Sequence, residues 1–160
     1  MSQRSRTREK TKRLFMRVAC KALKPQEMLL VSDWAERHRI LDDSSNLAGR
    51  WSNDVTPYLV EIMNTLNDEY IRQVYFCKAS QIGGTAALIN MLCYIIMQQP
   101  APTMIVYPSD DLAKDVSNDF LKPAFRLIPE IKQIFLENAS KELKLKFKPM
   151  LLYLRGAGSP

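Results

Sequence analysis

The order of three apolar runs constrains the fold of this chain more than any other sequence feature. Residues 71–77 (IRQVYFC) are rich in β-branched and aromatic side chains and predict a strand, and residues 103–107 (TMIVY) predict a second one. Residues 85–98 between them predict a mostly buried helix, which Pro100 and Pro102 bring to an end. Strand, helix, strand is the order of a βαβ unit, whose strands lie parallel and are joined by a right-handed crossover. We therefore predict an α/β fold with helices flanking a parallel sheet.

Turn and cap residues predict the remaining elements. Ser32 is expected to cap a helix, and Ser109 or Asp110 is expected to cap a later one. A further helix is predicted to begin at Thr56 and Pro57, because proline is favoured in the first turn of a helix. The other elements expected are a helix to about Leu127 that breaks near Pro123, a short helix over residues 129–136, and a hairpin that pairs residues 143–147 with residues 150–154.

The loop between the first predicted strand and its helix has most of a phosphate-binding pattern. That pattern is glycine, four residues, glycine, lysine and then serine or threonine. Gly83 fills the second glycine position and Thr85 the hydroxyl position, but Gly84 replaces the lysine and Lys78 replaces the first glycine. The candidate nucleotide-binding residues are therefore the whole loop: Lys78, Ala79, Ser80, Gln81, Ile82, Gly83, Gly84 and Thr85.

The chemistry of such a loop depends on backbone N–H groups and a helix N-terminus that point at an anion. Lysine normally neutralises the charge of the β- and γ-phosphates. Lys78 is the only cation in this loop, and its long side chain can reach back over the phosphates. Thr85 is placed to hold Mg²⁺ through its hydroxyl. The alternative is a plain turn followed by a helix cap, which short glycine-rich matches also produce.

The positive charge of the chain is concentrated at its N-terminus. The formal net charge is +6, yet nine lysine and arginine residues lie in the first 24 positions with Glu9 as their only acidic neighbour. Residues 1–27 are interpreted as a basic helical arm that binds DNA or a partner protein, or that is only a solvated tail. With His38 as the single histidine and no CxxC spacing, a zinc site is not expected, and no apolar run is long enough to cross a membrane.

A series of short segments in a fixed order resembles the large subunit of phage terminase, in the lambda-type GpA family. The resemblance extends from about Leu29 to the last residue. The matching segments are residues 31–41 (VSDWAERHRIL), 49–51 (GRW), 56–58 (TPY), 61–63 (EIM), 70–74 (YIRQV), 107–113 (YPSDDLA), 121–123 (LKP), 128–129 (IP) and 156–160 (GAGSP).

The resemblance implies a P-loop NTPase-like ATPase motor that uses ATP and Mg²⁺ to pump double-stranded DNA into an empty procapsid through a portal, in the host cytoplasm. A small terminase subunit docks at the N-terminus of such proteins. Members often carry lysine at the first loop position, as Lys78 does, and some lack the usual lysine. The segment 56–58 corresponds to the neighbourhood of the adenine, where Tyr58 either stacks on the base or is a core side chain at a helix start.

Two departures limit what the resemblance implies. Gly84 removes the usual lysine, and the acidic strand that holds Mg²⁺ in the family would follow residues 156–160. Asp110 and Asp111 lie at a predicted helix start, where capping explains them. We therefore expect residues 28–160 to be the N-terminal portion of a terminase ATPase domain, without the acidic strand and the nuclease domain, that binds ATP but does not hydrolyse it unaided. The alternative function is a non-catalytic module that binds small terminase or DNA through the basic arm.

Overall fold

A computed structural model of the protein describes residues 27–42 and 48–158, together with residues 9, 12, 13, 15 and 16. Most of the predicted basic arm lies outside the described residues, as do residues 159–160. The helices whose bounds lie in the continuous described ranges are α1 (Val31–His38), α2 (Pro57–Asn64), α3 (Gly84–Gln98), α4 (Asp110–Val116), α5 (Lys122–Leu127) and α6 (Pro129–Ile134). The strands are β1 (Ile40–Leu41), β2 (Gly49–Arg50), β3 (Thr103–Tyr107), β4 (Lys144–Lys146) and β5 (Leu151–Gly156).

Within the described residues, the main sheet has three strands in the order β3, β5, β4. β3 runs parallel to β5 with Thr103 opposite Leu152, and β4 runs antiparallel to β5 with Leu145 opposite Leu152. This arrangement confirms the predicted strand over residues 103–107 and the predicted hairpin near the end of the chain. The protein is therefore a mixed α/β fold whose sheet contains a parallel pair. β1 and β2 form a separate antiparallel pair.

The helices cover one face of this sheet. Leu152 and Leu154 of β5 and Leu145 of β4 are buried on that face, while Met104 and Val106 of β3 are more than half exposed on the other. Side chains alternate between the two faces of a strand, which explains this division. α3 is the most buried helix, because residues on several of its sides are covered by α1, α2 and α6.

The predicted long helix after β3 is present and is interrupted where proline requires it. Ser109 caps α4 by accepting a hydrogen bond from the Leu112 amide at 3.2 Å, as expected for a serine in that position. A π-helical turn over Ser117–Leu121 then joins α4 to α5, which has Pro123 in its first turn. Proline removes an amide donor, so the hydrogen-bond pattern changes before it. α6 begins at Pro129 as predicted and ends two residues early, at Ile134.

The strand predicted over residues 71–77 is wrong. These residues belong to no strand, and all of them are exposed. A strand needs a hydrogen-bonded neighbour to satisfy its backbone groups. The parallel neighbour expected for β3 was this segment, but within the described part of the chain β3 pairs with β5 instead. The crossover that links the parallel pair therefore contains α4, α5 and α6 rather than α3.

The predicted capping role of Ser32 is also wrong. α1 begins one residue earlier, at Val31, and Ser32 is buried within its first turn. Side chains from a later segment satisfy the free amides instead. The amide of Val31 donates to Asn67 Oδ1 at 3.0 Å, and the amide of Ser32 donates to Asn64 Oδ1 at 2.9 Å. Asn64 at the end of α2 and Asn67 in the turn that follows it thus cap the start of α1. Among the described helices, none has the length and apolar character needed to span a bilayer.

Candidate functional site

The loop before α3 is a turn with positive φ angles at Gln81 and Gly83, and the helix begins directly after it. Gly83 precedes the helix with φ 81° and ψ 11°, a left-handed conformation that glycine adopts without steric cost. Its carbonyl accepts the first helical bond, from the Ala87 amide at 2.9 Å. Gln81 also has a positive φ, of 59°, which is uncommon for a residue with a side chain. The first turn of α3, with Thr85 exposed in it, therefore follows a tightly bent loop.

Lys78 folds back over this loop and lies against Gly84. A Cβ atom placed on Gly84 would be 2.7 Å from Lys78 Cδ, 2.8 Å from Cε and 3.6 Å from Nζ. The absence of a side chain at position 84 is what leaves room for the lysine. The structure thus brings the cation at the first loop position to the position where the usual pattern has its lysine.

A cavity of about 620 Å³ opens beside Lys78 and the start of α3. Its polar lining comes from two parts of the chain: Lys78, Gln81 and Thr85 belong to the loop and its helix, and Arg39 and Asp42 come from the segment around β1. The apolar lining includes Tyr107, at the carboxyl end of β3, and Phe120, in the π-helical turn. Ligands of parallel sheets bind at the carboxyl ends of strands, and this cavity is at such an end.

A second cavity, of about 370 Å³, adjoins the same loop and shares Gln81 and Gly83 with the first. Trp51, Val55 and Tyr58 contribute to its lining, together with Gln81 and Ile82 of the loop. Loop residues therefore line both cavities.

Tyr58 is not a core side chain, since it is 51% exposed at the edge of the second cavity. Its hydroxyl donates a hydrogen bond to the Ile82 carbonyl at 3.1 Å. It therefore holds the loop from the α2 side, a contact that the sequence does not indicate. Thr56, at the start of the same helix, has a buried hydroxyl without a hydrogen-bond partner among the described residues.

The other predicted loop residues are placed at the surface. Ala79, Ser80 and Gln81 are exposed, and Ile82 is half-buried behind them. Exposure of this kind leaves backbone groups accessible to a ligand. Thr85 is also exposed, in the first turn of α3. No three His, Cys, Asp or Glu side chains within the described ranges are grouped as a complete protein-only metal site would need.

Arg39 is the residue of this cavity that sequence reasoning missed. It follows α1, and it is only 5% exposed although it is charged. Burial lowers the pKa of its guanidinium, while the charges of Cys93 and Asp42 raise it. The available signal was its position inside the segment 31–41 that resembles the terminase family. Nothing in that segment alone indicates that Arg39 lies beside a loop forty residues later.

Hydrogen bonds join the carboxyl ends of β3 and β5, and they connect the segments 107–113 and 156–160 that resemble the terminase family. Gly156, the last residue of β5, donates its amide to Asp110 Oδ1 at 2.6 Å. The next amide, of Ala157, donates to the Tyr107 carbonyl at 2.7 Å. Asp110 therefore has a structural role at the start of α4, together with its expected place in a first turn.

Comparisons with known proteins agree on one family. The model of the phage terminase large subunit gpA, ATPase domain, matches residues 45–160. The terminase large subunit of Enterobacteria phage P21 is 29% identical over 107 residues, which are 66% of this chain and 16% of that protein. The terminase large subunit of Escherichia phage lambda is 28% identical over 120 residues, which are 74% of this chain and 18% of that protein.

The matched region is thus less than a fifth of the length of these two relatives. No solved structure matches the chain. The family match covers well over half of the sequence. It includes the loop of residues 78–85, and it also includes β3, which ends beside the larger cavity, and β5. The chain therefore belongs to the family of phage terminase large subunits, gpA type, and its residues 45–160 match the ATPase domain of that family.

Proposed function

We propose that the loop of residues 78–85 binds the polyphosphate of ATP, as part of a DNA-packaging ATPase. The observation that carries this proposal is the position of Lys78, whose aliphatic stem lies over Gly84 at the start of α3. Backbone amides at a helix N-terminus and a single lysine charge are the two elements of a phosphate-binding loop. Here the lysine reaches the loop from its first position, and Gly84 makes the approach possible.

The adenine is proposed to bind on the α2 side of the loop. The cavity of about 370 Å³ has apolar and aromatic lining from Trp51, Val55 and Tyr58, which suits a flat base. The Tyr58 ring is half exposed there and is available for stacking, although its hydroxyl is engaged with Ile82. Gln81 and Gly83 of the loop line both this cavity and the larger one, so a nucleotide that spans the two would place its base in one and its phosphates in the other.

Mg²⁺ fits this arrangement through Thr85. Its hydroxyl stands in the first turn of α3 and lines the larger cavity, as the threonine of a phosphate loop should. A bound Mg²⁺ would neutralise charge on the β- and γ-phosphates. The phosphate oxygens and water would supply its remaining ligands, since Mg²⁺ keeps several waters in such sites.

The proposed role in the larger assembly follows from family membership. Residues 28–160 are proposed to form the nucleotide-binding portion of a P-loop NTPase-like domain, which works with small terminase, double-stranded DNA and the portal of the procapsid in the host cytoplasm. Hydrolysis also requires acidic groups that hold the metal and orient water.

The decisive experiment compares ATP binding by the wild-type chain and Lys78→Gln, in the presence of Mg²⁺. Loss of a charge-assisted contact is expected to weaken binding about ten- to a hundredfold. Lys148→Gln is the matched control, because Lys148 is also exposed but lies outside both cavities. Equal ATP affinity of wild type and Lys78→Gln would show that the loop does not bind the nucleotide as proposed.

The alternative is that the basic N-terminus binds DNA or small terminase without any nucleotide role. The concentration of nine cations in the first 24 residues favours this second proposal. Neutralising Arg4, Arg6 and Arg8 to glutamine in the full chain should weaken DNA binding and flatten its salt dependence. If the affinity and the salt slope both stay unchanged, these residues are only a solvated tail.

A further inference from the structure

We propose that Arg39 is a second phosphate-binding cation, which holds the polyphosphate of the nucleotide against Lys78 across the larger cavity. This inference rests on the proposed function of the loop and adds a residue from outside it. Arg39 and Lys78 both line the cavity of about 620 Å³, and they come from segments that are distant in sequence.

The side chain of Arg39 is held in place by α3, the helix that begins at the loop. Its Nε donates to Asn90 Oδ1 at 3.2 Å, and its Nη1 donates to the Ile40 carbonyl. Asn90 is itself fully buried. The backbone of Arg39 is anchored too, since its amide donates to the Ala35 carbonyl at 2.8 Å and its carbonyl accepts from the Trp51 amide at 3.1 Å. The guanidinium is therefore pre-positioned relative to the first turns of α3.

A buried guanidinium needs an anion. Removing a charge from water is costly unless an opposite charge or several hydrogen bonds compensate for it. Asp42 is a carboxylate whose charge acts on Arg39, and it lines the same cavity. A polyphosphate would bring several negative charges to this buried side chain, where electrostatic attraction is stronger than in water. The planar guanidinium also matches two phosphate oxygens at once.

The departure of the loop from the usual pattern leaves phosphate charge that a second cation would neutralise. Gly84 cannot contribute charge, so Lys78 is the single cation of the loop. It has to cover the loop from its first position, with its ammonium 3.6 Å from the place where a Cβ of residue 84 would be. Arg39 approaches from the β1 side and would neutralise charge that this one lysine leaves uncompensated.

The competing interpretation is that Arg39 only ties β1 to α3 through Asn90. The two roles differ in how they depend on the ligand. A purely structural residue changes the affinity for adenosine, ADP and ATP by the same factor. A residue that contacts phosphates changes the affinity for ATP most and the affinity for adenosine least.

The test measures binding of adenosine, ADP, ATP and inorganic tripolyphosphate to the full chain by calorimetry. The variants are wild type, Arg39→Gln, Arg39→Lys and the control Arg37→Gln, whose side chain is exposed and pairs with Glu27 outside the cavities. Arg39→Gln is expected to weaken ATP and tripolyphosphate about ten- to a hundredfold and adenosine less than twofold. Arg39→Lys keeps the charge but loses the planar fork, so it should fall between Arg39→Gln and wild type.

Each outcome decides between the two proposals. Equal weakening of all ligands, or none, overturns the role of Arg39 and leaves the nucleotide proposal standing if wild type binds ATP. If wild type binds tripolyphosphate as tightly as ATP and Arg39→Gln loses this binding, the role of Arg39 is supported and the proposal of a nucleotide ligand is overturned. Wild type that binds neither ATP nor tripolyphosphate overturns both. If circular dichroism shows that Arg39→Gln is unfolded, the ligand dependence of Arg39→Lys decides in its place.

Discussion

The side chain of Lys78 occupies the space that any side chain at Gly84 would need. A Cβ on Gly84 would stand 2.7 Å from Lys78 Cδ and 2.8 Å from Cε, closer than real Cβ contacts come. Gly84 therefore stands where the usual pattern has lysine, and Lys78, which stands where that pattern has its first glycine, covers Gly84 with its side chain. The two departures from the phosphate-loop pattern are one structural feature.

This relationship predicts that Gly84→Ala weakens ATP binding without destabilising the fold. The new methyl group displaces the flexible end of Lys78, which can move, so little folding free energy is lost. Alanine is favoured over glycine by about 1 kcal/mol in a helix interior, and at the first helical position of α3 the gain is smaller. The loss of a positioned lysine is expected to cost about tenfold in ATP affinity.

The measurement pairs calorimetric ATP titration with urea unfolding of the same variant. Gly158→Ala is the control, because its added Cβ would have no atom within 4 Å from the described residues beyond its chain neighbours. An unchanged ATP affinity in Gly84→Ala, at unchanged or raised stability, would mean that the placement of Lys78 over Gly84 does not matter for the ligand.

Tyr58→Phe is predicted to loosen the loop while keeping the aromatic ring. The hydroxyl donates to the Ile82 carbonyl at 3.1 Å from a half-exposed side chain. One such bond contributes about 0.5–1 kcal/mol, so ATP affinity should fall roughly two- to fivefold. Tyr75→Phe is the control, since its hydroxyl bonds to Gln73 away from both cavities. Equal affinities of the two variants would contradict a positioning role for Tyr58.

The parts of the fold that the sequence predicts are those determined by near neighbours. Gly83 before an apolar helical run, Ser109 before α4 and Pro129 at the start of α6 all act within a few residues, and their predicted effects are present. The strand over residues 71–77 fails because a strand is defined by its partner. Composition shows that these residues suit a strand, but it contains no information on which segment β3 will pair with.

The candidate site divides in the same way. The position of Thr85 in a first turn follows from the pattern, whereas the approach of Lys78 to Gly84 depends on the bend of the loop. The contact between Arg39 and Asn90 joins residues 51 positions apart. The hydrogen bonds by which Asn64 and Asn67 cap α1 also join residues that are more than thirty positions apart. Such contacts are set by tertiary packing, which a single sequence does not specify.

Gly156→Ala is predicted to destabilise the fold strongly. A Cβ at this position would be 2.4 Å from the Asp110 amide nitrogen and 2.7 Å from the Ser109 carbonyl carbon, both backbone atoms that cannot rotate away. It would also disturb the hydrogen bond from the Gly156 amide to Asp110. Overpacking of this kind costs about 1–3 kcal/mol. Urea unfolding measures the loss, and Gly158→Ala should show almost none; equal stability of the two variants would rule out this close packing.

The buried thiol of Cys93 is predicted to make the stability fall at high pH. Burial raises the pKa of Cys93 from 9.0 to about 12, while the charge of Arg39 lowers it by a smaller amount. Below pH 9 the thiol is protonated in both the native and the unfolded state. Between about pH 9 and pH 12 the unfolded thiol ionises while the native one keeps its proton, so unfolding becomes more favourable as the pH rises.

Comparison with Cys93→Ala isolates this contribution, because lysine and tyrosine residues titrate in both proteins. Alanine leaves a cavity in the core and lowers the unfolding free energy at every pH. The difference between wild type and Cys93→Ala, measured by urea unfolding under reducing conditions at pH 7.5, 9 and 10, should therefore shrink as the pH rises. A difference that stays constant across this range would mean that the Cys93 thiol ionises at the same pH in both states, which its complete burial on α3 argues against.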